Sequence, residues 1–398
     1  MKVLLLSDWY PPAVNGVVSS VKTLRRGLEA QGHDVRVLAT GNERATRFDG
    51  DVYRIASVGV GALYPMARVG KPLDRVVLEH VLEWAPDVIH SHTEFVAFVW
   101  ARRIADALDI PHVHTYHTVY EDYTHYFSPS RKVGKAVAAK LTRRVLGGTD
   151  LVVVPTGKVE KLLRTYRLPL PIRVIPTGVD LDRFTCESRS GADGGRGRAA
   201  LRQRFGIPAD TPVVLFVGRL AHEKNLGETF RLMARLRHLD WRFVVVGDGP
   251  AGAQCRQFAA NQAITDRVIF TGGVDPDVVS DYYRIGDVFV SSSRSETQGL
   301  TYVEALASGL PVLCRADPVL DGVVVDDING YQYTSGHQFT SSMTRLLTEP
   351  ALRRRLAEGA RAGAMRFSEE SFADAVAQAY CEASAKLGMR RRRLGRAA

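Results

Sequence analysis

The sequence predicts an α/β protein of two doubly wound, parallel-sheet domains facing each other across a cleft. Three observations carry this. The 398 residues exceed what one ordinary hydrophobic core organises. Short, wholly apolar runs alternate with helical stretches, as parallel strands covered on both faces require. That alternation stops at a Gly-rich polar segment and then begins again.

In the first half, Lys2-Val-Leu-Leu-Leu-Ser7 reads as a buried parallel strand. A Pro/Gly loop follows, then an amphipathic helix from about Val17 to Gln31, then a strand from Val35 to Ala39. Further strands are expected at Val88-Ile89-His90, His112 to Thr115 and Leu151 to Val154, with a helix from Phe95 to Leu108. Between Cys186 and Arg198 nothing can be buried, and the segment reads as a surface excursion. The second half predicts strands at Val213–Val217, Arg242–Val246, Val268–Thr271 and Val288–Ser291, with helices at Gly227–Arg237 and Val278–Ile285. The expected organisation is an N-terminal domain over 1–184, a polar excursion over 185–198 and a C-terminal domain over 199–370. A helix over 371–386 is expected to return toward the N-terminal domain, followed by a basic tail over 387–398. Open parallel sheets bind ligands beyond the carboxyl ends of their strands, which makes the cleft the expected site.

The net charge of +10 is concentrated in two patches. Arg131, Lys132, Lys135, Lys140, Arg143 and Arg144 carry six positive charges with no acid between them, and Lys386, Arg390–Arg393 and Arg396 carry six more. The rest of the chain is left at −2. Without an interleaved basic and aromatic stacking surface, nucleic acid is not an expected partner. The four cysteines form no CxxC pair, so neither a disulfide framework nor a zinc site is expected. Val3 to Leu6 is too short an apolar run for a signal peptide, and no stretch approaches the roughly 20 apolar residues of a membrane span. The expected location is the cytoplasm, with peripheral contact to the inner face of the cell membrane.

Two segments of the second half carry chemistry. The strand Val213–Val217 runs into Gly218-Arg219-Leu-Ala-His-Glu-Lys224-Asn225, which places two cations past a strand end. Arg supplies a planar fork of donors and Lys a point charge, together suited to a diphosphate leaving group; solvated surface charge is the ordinary alternative. Past a later strand lies Ser-Arg-Ser-Glu296-Thr-Gln298-Gly299-Leu300-Thr-Tyr-Val-Glu304-Ala. Strand, polar loop with one Gly, then helix presents free backbone amides near Gly299 and Leu300 to phosphate or sugar oxygens. The carboxylates of Glu296 and Glu304 suit hydroxyl recognition, although helix capping would also account for acids here.

This second segment resembles the Glu-x7-Glu motif of the retaining glycosyltransferases of family 4, which have the GT-B fold of two Rossmann-like domains. Other pieces agree in order: Pro11-Pro12 with Asn15-Gly16, Ile175-Pro-Thr-Gly178-Val-Asp180, Gly218-Arg219 with Lys224-Asn225, and Gly247-Asp-Gly-Pro250. The resemblance implies that Glu296 contacts the sugar, Glu304 holds the ribose, and Arg219 and Lys224 bind the diphosphate. It adds Gly16, Gln298, Gly299 and Leu300 to the donor site. Gln298, where the wider family often has Phe, is similar to bacterial 1,2-diacylglycerol 3-alpha-glucosyltransferases. So is His114-Thr-Tyr-His117-Thr-Val-Tyr120-Glu121-Asp-Tyr with His125-Tyr126. The resemblance places His117 against the donor sugar and Tyr120 and Glu121 on the acceptor side. The implied reaction is hexose transfer, with glucose from UDP-glucose, to a diacylglycerol-type lipid with retention by front-face displacement. A mannosyltransferase using GDP-mannose and phosphatidylinositol, or an enzyme with a soluble acceptor, is the alternative. A DxD-type metal motif is not seen in the donor loop, so no tightly bound metal is expected, while stimulation by Mg2+ stays open.

The basic patch fits a lipid acceptor. On a helix over Arg131 to Leu146, Val133, Val137, Leu141 and Val145 recur at i, i+4 beside Gly134 and Ala138, with Arg131, Lys132, Lys135, Lys140 and Arg143 elsewhere around it and Arg144 intruding. Such a helix binds an anionic membrane surface, or packs its apolar side on its own domain.

Overall fold

The computed structural model describes residues 1–41, 45–59, 68–70, 75–119, 121, 131–185 and 192–394. The chain divides into two compact units, Met1–Gly178 with Glu369–Ala398, and Val179–Ser368. These junctions precede the expected ones at 184 and 370, because Val179 bridges to Ser368 inside the second unit and its N–H donates to the Phe367 carbonyl at 2.8 Å.

In the first unit the strands are β1 (Lys2–Ser7), β2 (Asp34–Thr40), β3 (Arg47–Asp49), β4 (Val52–Ile55), β5 (Ser57–Gly59), β6 (Arg68–Gly70), β7 (Val88–Ser91), β8 (His112–Thr115), β9 (Leu151–Val154) and β10 (Ile172–Val174). Eight form one sheet in the order β10-β9-β8-β7-β1-β2-β4-β3, parallel except for the terminal β3–β4 pair. β1 lies at its centre, and its Val3–Leu6 run is apolar because both faces are covered. Val3 and Leu5 pack with Val21, Leu24 and Leu28 of the helix Gly16–Ala30 and with Val376 and Tyr380 of the helix Glu369–Leu394. Leu4 and Leu6 pack on the other side with Trp84, Trp100 and Ile104. Alternate residues of one strand thus feed two cores.

The helix Glu369–Leu394 lies so close to the helix Gly16–Ala30 that a Cβ at Gly27 would sit 2.7 Å from that of Ala373. Arg26 pairs with Glu369 at 2.6 Å beside this contact, and Arg173 pairs with Glu382 at 2.8 Å. This helix corrects the expectation of a separate tail from 387: the backbone stays helical through Leu394.

In the second unit β11 (Val213–Val217), β12 (Arg242–Val246), β13 (Val268–Gly272), β14 (Val288–Ser291), β15 (Val312–Arg315) and β16 (Gly330–Tyr333) form one fully parallel sheet in the order β13-β12-β11-β14-β15-β16. Helices again cover both faces, with Leu215 and Val217 in one core and Val214 and Phe216 in the other. The excursion expected over 185–198 also needs correction, since a helix runs from Ala192 to Arg204. Its Gly- and Arg-rich sequence has no apolar stripe, and arginines anchor it instead. Arg202 donates to the carbonyls of Pro208 at 2.7 Å and Thr211 at 2.6 Å, and Arg198 reaches Asp287 at 3.0 Å. Residues 186–191 lie outside the described ones.

Candidate functional site

Two groups of side chains gather at carboxyl ends of parallel strands, one on each unit. In the second unit, the chain leaves β11 through Gly218-Arg219-Leu220. This loop is laced to the Gly247–Gly249 loop: Gly218 N–H donates to the Val246 carbonyl at 3.0 Å and Leu220 N–H to that of Asp248 at 2.9 Å. A Cβ at Gly247 would stand 2.0 Å from the Gly218 carbonyl oxygen, and φ there is +133°. Only glycine permits that approach. Arg219 is exposed at the tip. Lys224 closes a short 3-10 turn, His222–Lys224, and its Nζ lies 2.7 Å from Oε1 of Glu296 in the loop after β14.

The two loops are fastened together at several further points. Arg294 N–H donates to the Glu223 carbonyl at 3.0 Å, and Asn225 Nδ2 donates to the Ser292 carbonyl at 3.3 Å. Beneath them lies buried Glu228, which accepts from Asn225 at 2.6 Å, Arg315 at 2.6 Å and Arg294 at 3.2 Å. Burial works to raise its pKa, yet the bonds from Asn225 and Arg294 and the charge of Arg315 hold it below the usual carboxylate value. Sequence reading passed over Glu228. Its one signal was its place three residues after Asn225, where a carboxylate can reach back to the turn.

Gln298 is buried, and Gly299 takes the left-handed conformation, φ +78°, that opens the helix Leu300–Ala307. A side chain at Gly299 would meet the Tyr302 ring at 2.7 Å. The first turn of that helix holds no acid, so no carboxylate within that turn competes for its amides. Glu304 lies one turn further on, half-buried, accepting from the Tyr283 hydroxyl at 2.6 Å. Burial raises its pKa, partly offset by that bond and by the charge of Arg183. Arg219, Lys224, Glu296, Gln298, Gly299, Leu300 and Glu304 thus occupy two neighbouring strand-end loops and one helix start.

In the first unit the corresponding strand ends are those of β1, β7 and β8. Gly16 begins the helix after β1, where Asn15 Oδ1 accepts from Val18 N–H at 2.9 Å. Asp8, just past β1, is buried. It accepts from the Thr93 hydroxyl at 2.6 Å and from Ala97 N–H at 3.1 Å, and burial pushes its pKa up to about 6.

The ends of β7 and β8 hold a group of imidazoles. His117, two residues past β8, stacks on His92, one residue past β7, with ring centroids 5.4 Å apart and His92 Nδ1 3.1 Å from His117 Nε2. The His92 ring lies 4.2 Å from that of His90, which bonds the Tyr380 hydroxyl and the Thr115 hydroxyl at 2.7 Å each. Ser91 Oγ bridges His112 and His114 at 2.7 and 2.8 Å. Burial keeps His90, His92, His112 and His117 neutral by lowering their pKa values, that of His117 to about 3. Among the described residues, no group of three or more His, Cys, Asp or Glu is placed to hold a metal ion. Sequence reading singled out His117 and missed Asp8 and His92, whose roles arise from pairing between strands distant in sequence.

Of the residues assigned to acceptor and membrane, Tyr120 and the side chain of Arg131 lie outside those described. The Glu121 carboxylate accepts from the Tyr166 hydroxyl at 2.8 Å and pairs with Lys135 at 2.7 Å, so one cation of the patch has an acid beside it. Lys132, Lys140 and Arg143 are exposed. The helix Arg131–Leu146 buries Gly134, Ala138, Thr142 and Leu146 and leaves Val133, Val137 and Leu141 at 57, 52 and 60% exposure. It packs on its own domain through a row of mainly small residues, with the larger apolar row turned outward. No described helix is long and apolar enough to cross a membrane.

Comparison with known proteins accords with this arrangement. Residues 14–183 match the family described as Glycosyltransferase Family 4, and residues 197–363 match Glycosyl transferases group 1. The chain is 35% identical to the alpha-monoglucosyldiacylglycerol synthase of Streptococcus pneumoniae over 87% of its own length and 78% of that protein. It is 30% identical to the alpha-monoglucosyldiacylglycerol synthase of Acholeplasma laidlawii over 96 and 97% of the two chains. A D-inositol 3-phosphate glycosyltransferase of Xylanimonas cellulosilytica is 34% identical over 75% of this chain and 72% of its own. In fold, sucrose-phosphate synthase of Thermosynechococcus elongatus superimposes with a TM-score of 0.73 at 22% identity, covering 96 and 98% of the two chains. The strand-end loops, the two parallel-sheet units and these matches together place the chain in family 4 of the glycosyltransferases, as an enzyme of the GT-B fold.

Proposed function

We propose that this glycosyltransferase moves glucose from UDP-glucose to 1,2-diacylglycerol at an anionic membrane surface, giving an α-glucosyl-diacylglycerol. The observation that carries the lipid acceptor is the helix Arg131–Leu146. Three large apolar side chains, Val133, Val137 and Leu141, stand more than half exposed in one row, with Lys132, Lys140 and Arg143 exposed around them. An ordinary surface helix turns such a row inward. A helix lying in a membrane interface turns it outward and gains roughly 1 kcal/mol from each nearby cation. The names of the two synthases support the same acceptor and the same sugar.

At the donor, Arg219, Lys224 and the amides at Gly299 and Leu300 neutralise the diphosphate, Glu296 holds sugar hydroxyls and Glu304 holds the ribose; on the first unit, His117 is a sugar-binding residue. The bond from anomeric carbon to diphosphate oxygen breaks as the acceptor oxygen attacks from the same face. The acceptor proton passes to the departing diphosphate oxygen. Positioning and charge stabilisation then supply most of the rate, and no enzyme nucleophile is needed.

The similarity to D-inositol 3-phosphate glycosyltransferases favours a second reading, a soluble phosphosugar acceptor. The test incubates the protein with labelled UDP-glucose and either anionic vesicles containing diacylglycerol or D-inositol 3-phosphate. Label in the organic phase supports the lipid acceptor. Label transferred only to the inositol phosphate overturns it.

A further inference from the structure

The imidazole stack of the first unit suggests why His92 sits where it does. His92 Nδ1 and His117 Nε2 lie 3.1 Å apart, a hydrogen-bond distance between two nitrogens that must share one hydrogen. The other nitrogen of His92, Nε2, is buried and has no hydrogen-bond partner among the described residues. Burial keeps both rings neutral, so each carries one N–H and one lone pair.

Two arrangements satisfy the contact. If His117 donates, the hydrogen of His92 moves to Nε2 and becomes a buried N–H with nothing to accept it, while His117 Nδ1 becomes a bare base. If His92 donates from Nδ1, only a lone pair is stranded at His92 Nε2, and His117 Nδ1 carries a hydrogen. Stranded buried donors are rarer than stranded acceptors, so the second arrangement is favoured. His92 is itself confined. Its ring lies against that of His90, which the hydroxyls of Tyr380 and Thr115 hold at both nitrogens.

We infer that His92 is a positioning residue that fixes the tautomer of His117, so that His117 presents an N–H at Nδ1 and serves a ligand as a hydrogen-bond donor, not as a base. The hydrogen-bond donor role rests on the proposed reading of His117 as a sugar-binding residue; the tautomer itself does not. The chemical class His117 addresses is then an oxygen acceptor, a hydroxyl or ring oxygen of a sugar. It takes no proton during transfer.

The experiment is long-range 1H–15N correlation NMR on the full chain with 15N-labelled histidine, beside glucosyl transfer from UDP-glucose. His92→Asn keeps an N–H near the position of Nδ1, and His92→Leu removes it. His117→Asn assigns the His117 signals. In the wild type, His117 is expected to show a protonated Nδ1 and an unprotonated Nε2. His92→Asn retains that pattern and most of kcat. In His92→Leu, His117 loses the single pattern, and kcat falls by about tenfold or more, the scale of losing a supporting partner. A wild-type His117 protonated at Nε2 overturns the inference whatever the transfer assay shows. So does a His92→Leu variant with an unchanged His117 pattern. If the wild type transfers no sugar to any acceptor, the proposed function falls, while the NMR pattern still decides the tautomer.

Discussion

Lys224 Nζ lies 2.7 Å from Glu296 Oε1, joining the loops that follow β11 and β14 through one ion pair. Both side chains are largely buried, at 21 and 11% exposure, so removing either partner leaves the other as an unpaired charge in a poorly solvated place. In the proposed reaction the diphosphate takes Lys224 and the sugar takes Glu296, and the pair holds both ready. Lys224→Met and Glu296→Gln are each expected to lower kcat/KM by about a hundredfold, the loss typical of one stabilising group. The double variant should be only a few-fold worse than the poorer single one, because the residues act as a unit. Steady-state kinetics of the four proteins measures this, and additive losses would show that the two act separately.

Gly247 bears on the same loops by steric contact. Its Cβ in Gly247→Ala would lie 2.0 Å from the Gly218 carbonyl oxygen at a φ of +133°. The substitution is expected to destabilise the chain by about 2–3 kcal/mol or more and to weaken UDP binding, since the Gly218-Arg219 loop must move. Gly32→Ala, at φ +80° with nothing within 4 Å of its Cβ, should cost only about 1 kcal/mol and leave UDP binding unchanged. Denaturant unfolding and UDP titration separate the two.

Asp8 links stability to pH. Burial raises its pKa from 3.8 to about 6, so the folded chain holds this proton more tightly than the unfolded chain does. Its stabilising contribution is fully present below pH 3.8 and is lost as pH rises through about 6. Asp8→Asn mimics the protonated form. The variant should therefore gain on the wild type by about 1–3 kcal/mol between about pH 5 and 7, and the gap should close as pH falls toward 4. Unfolding free energies at several pH values check this, and a gap that is constant with pH would contradict it.

The helix Arg131–Leu146 makes the membrane proposal separable from the donor site. Val133, Val137 and Leu141 are more than half exposed, so Val137→Asn and Leu141→Asn should change stability by no more than about 0.5 kcal/mol. Partition onto anionic vesicles should fall by about tenfold or more for the double variant, as two apolar side chains no longer enter the interface. Sedimentation with vesicles measures the partition. Equal partition of variant and wild type would remove this helix from the membrane account.

The fold class was legible because β1, β9, β11 and β12 carry apolar residues on both faces, a pattern that parallel sheets between helices impose. That Lys224 and Glu296 sit in loops past strand ends was legible for a related reason, since each loop follows an apolar strand directly. Less accessible were features made by distant pairing. Asp8 meets Thr93, and His92 meets His117, only because β1, β7 and β8 are adjacent in the sheet. Glu121 and Lys135 meet only in the fold. The helix Ala192–Arg204 was unreadable because Arg198 and Arg202 hold it through backbone carbonyls, without an apolar stripe. The spacing of Val133, Val137 and Leu141 marked a stripe, but spacing alone does not say which way a stripe faces.

The most direct test of the central claim is proton NMR of the product isolated from anionic vesicles containing diacylglycerol after reaction with UDP-glucose. A single glucosyl-diacylglycerol with the small anomeric coupling of an α-linkage is expected. A lipid product with the large coupling of a β-linkage would contradict retention, and sugar transferred only to a water-soluble acceptor would contradict the lipid acceptor itself.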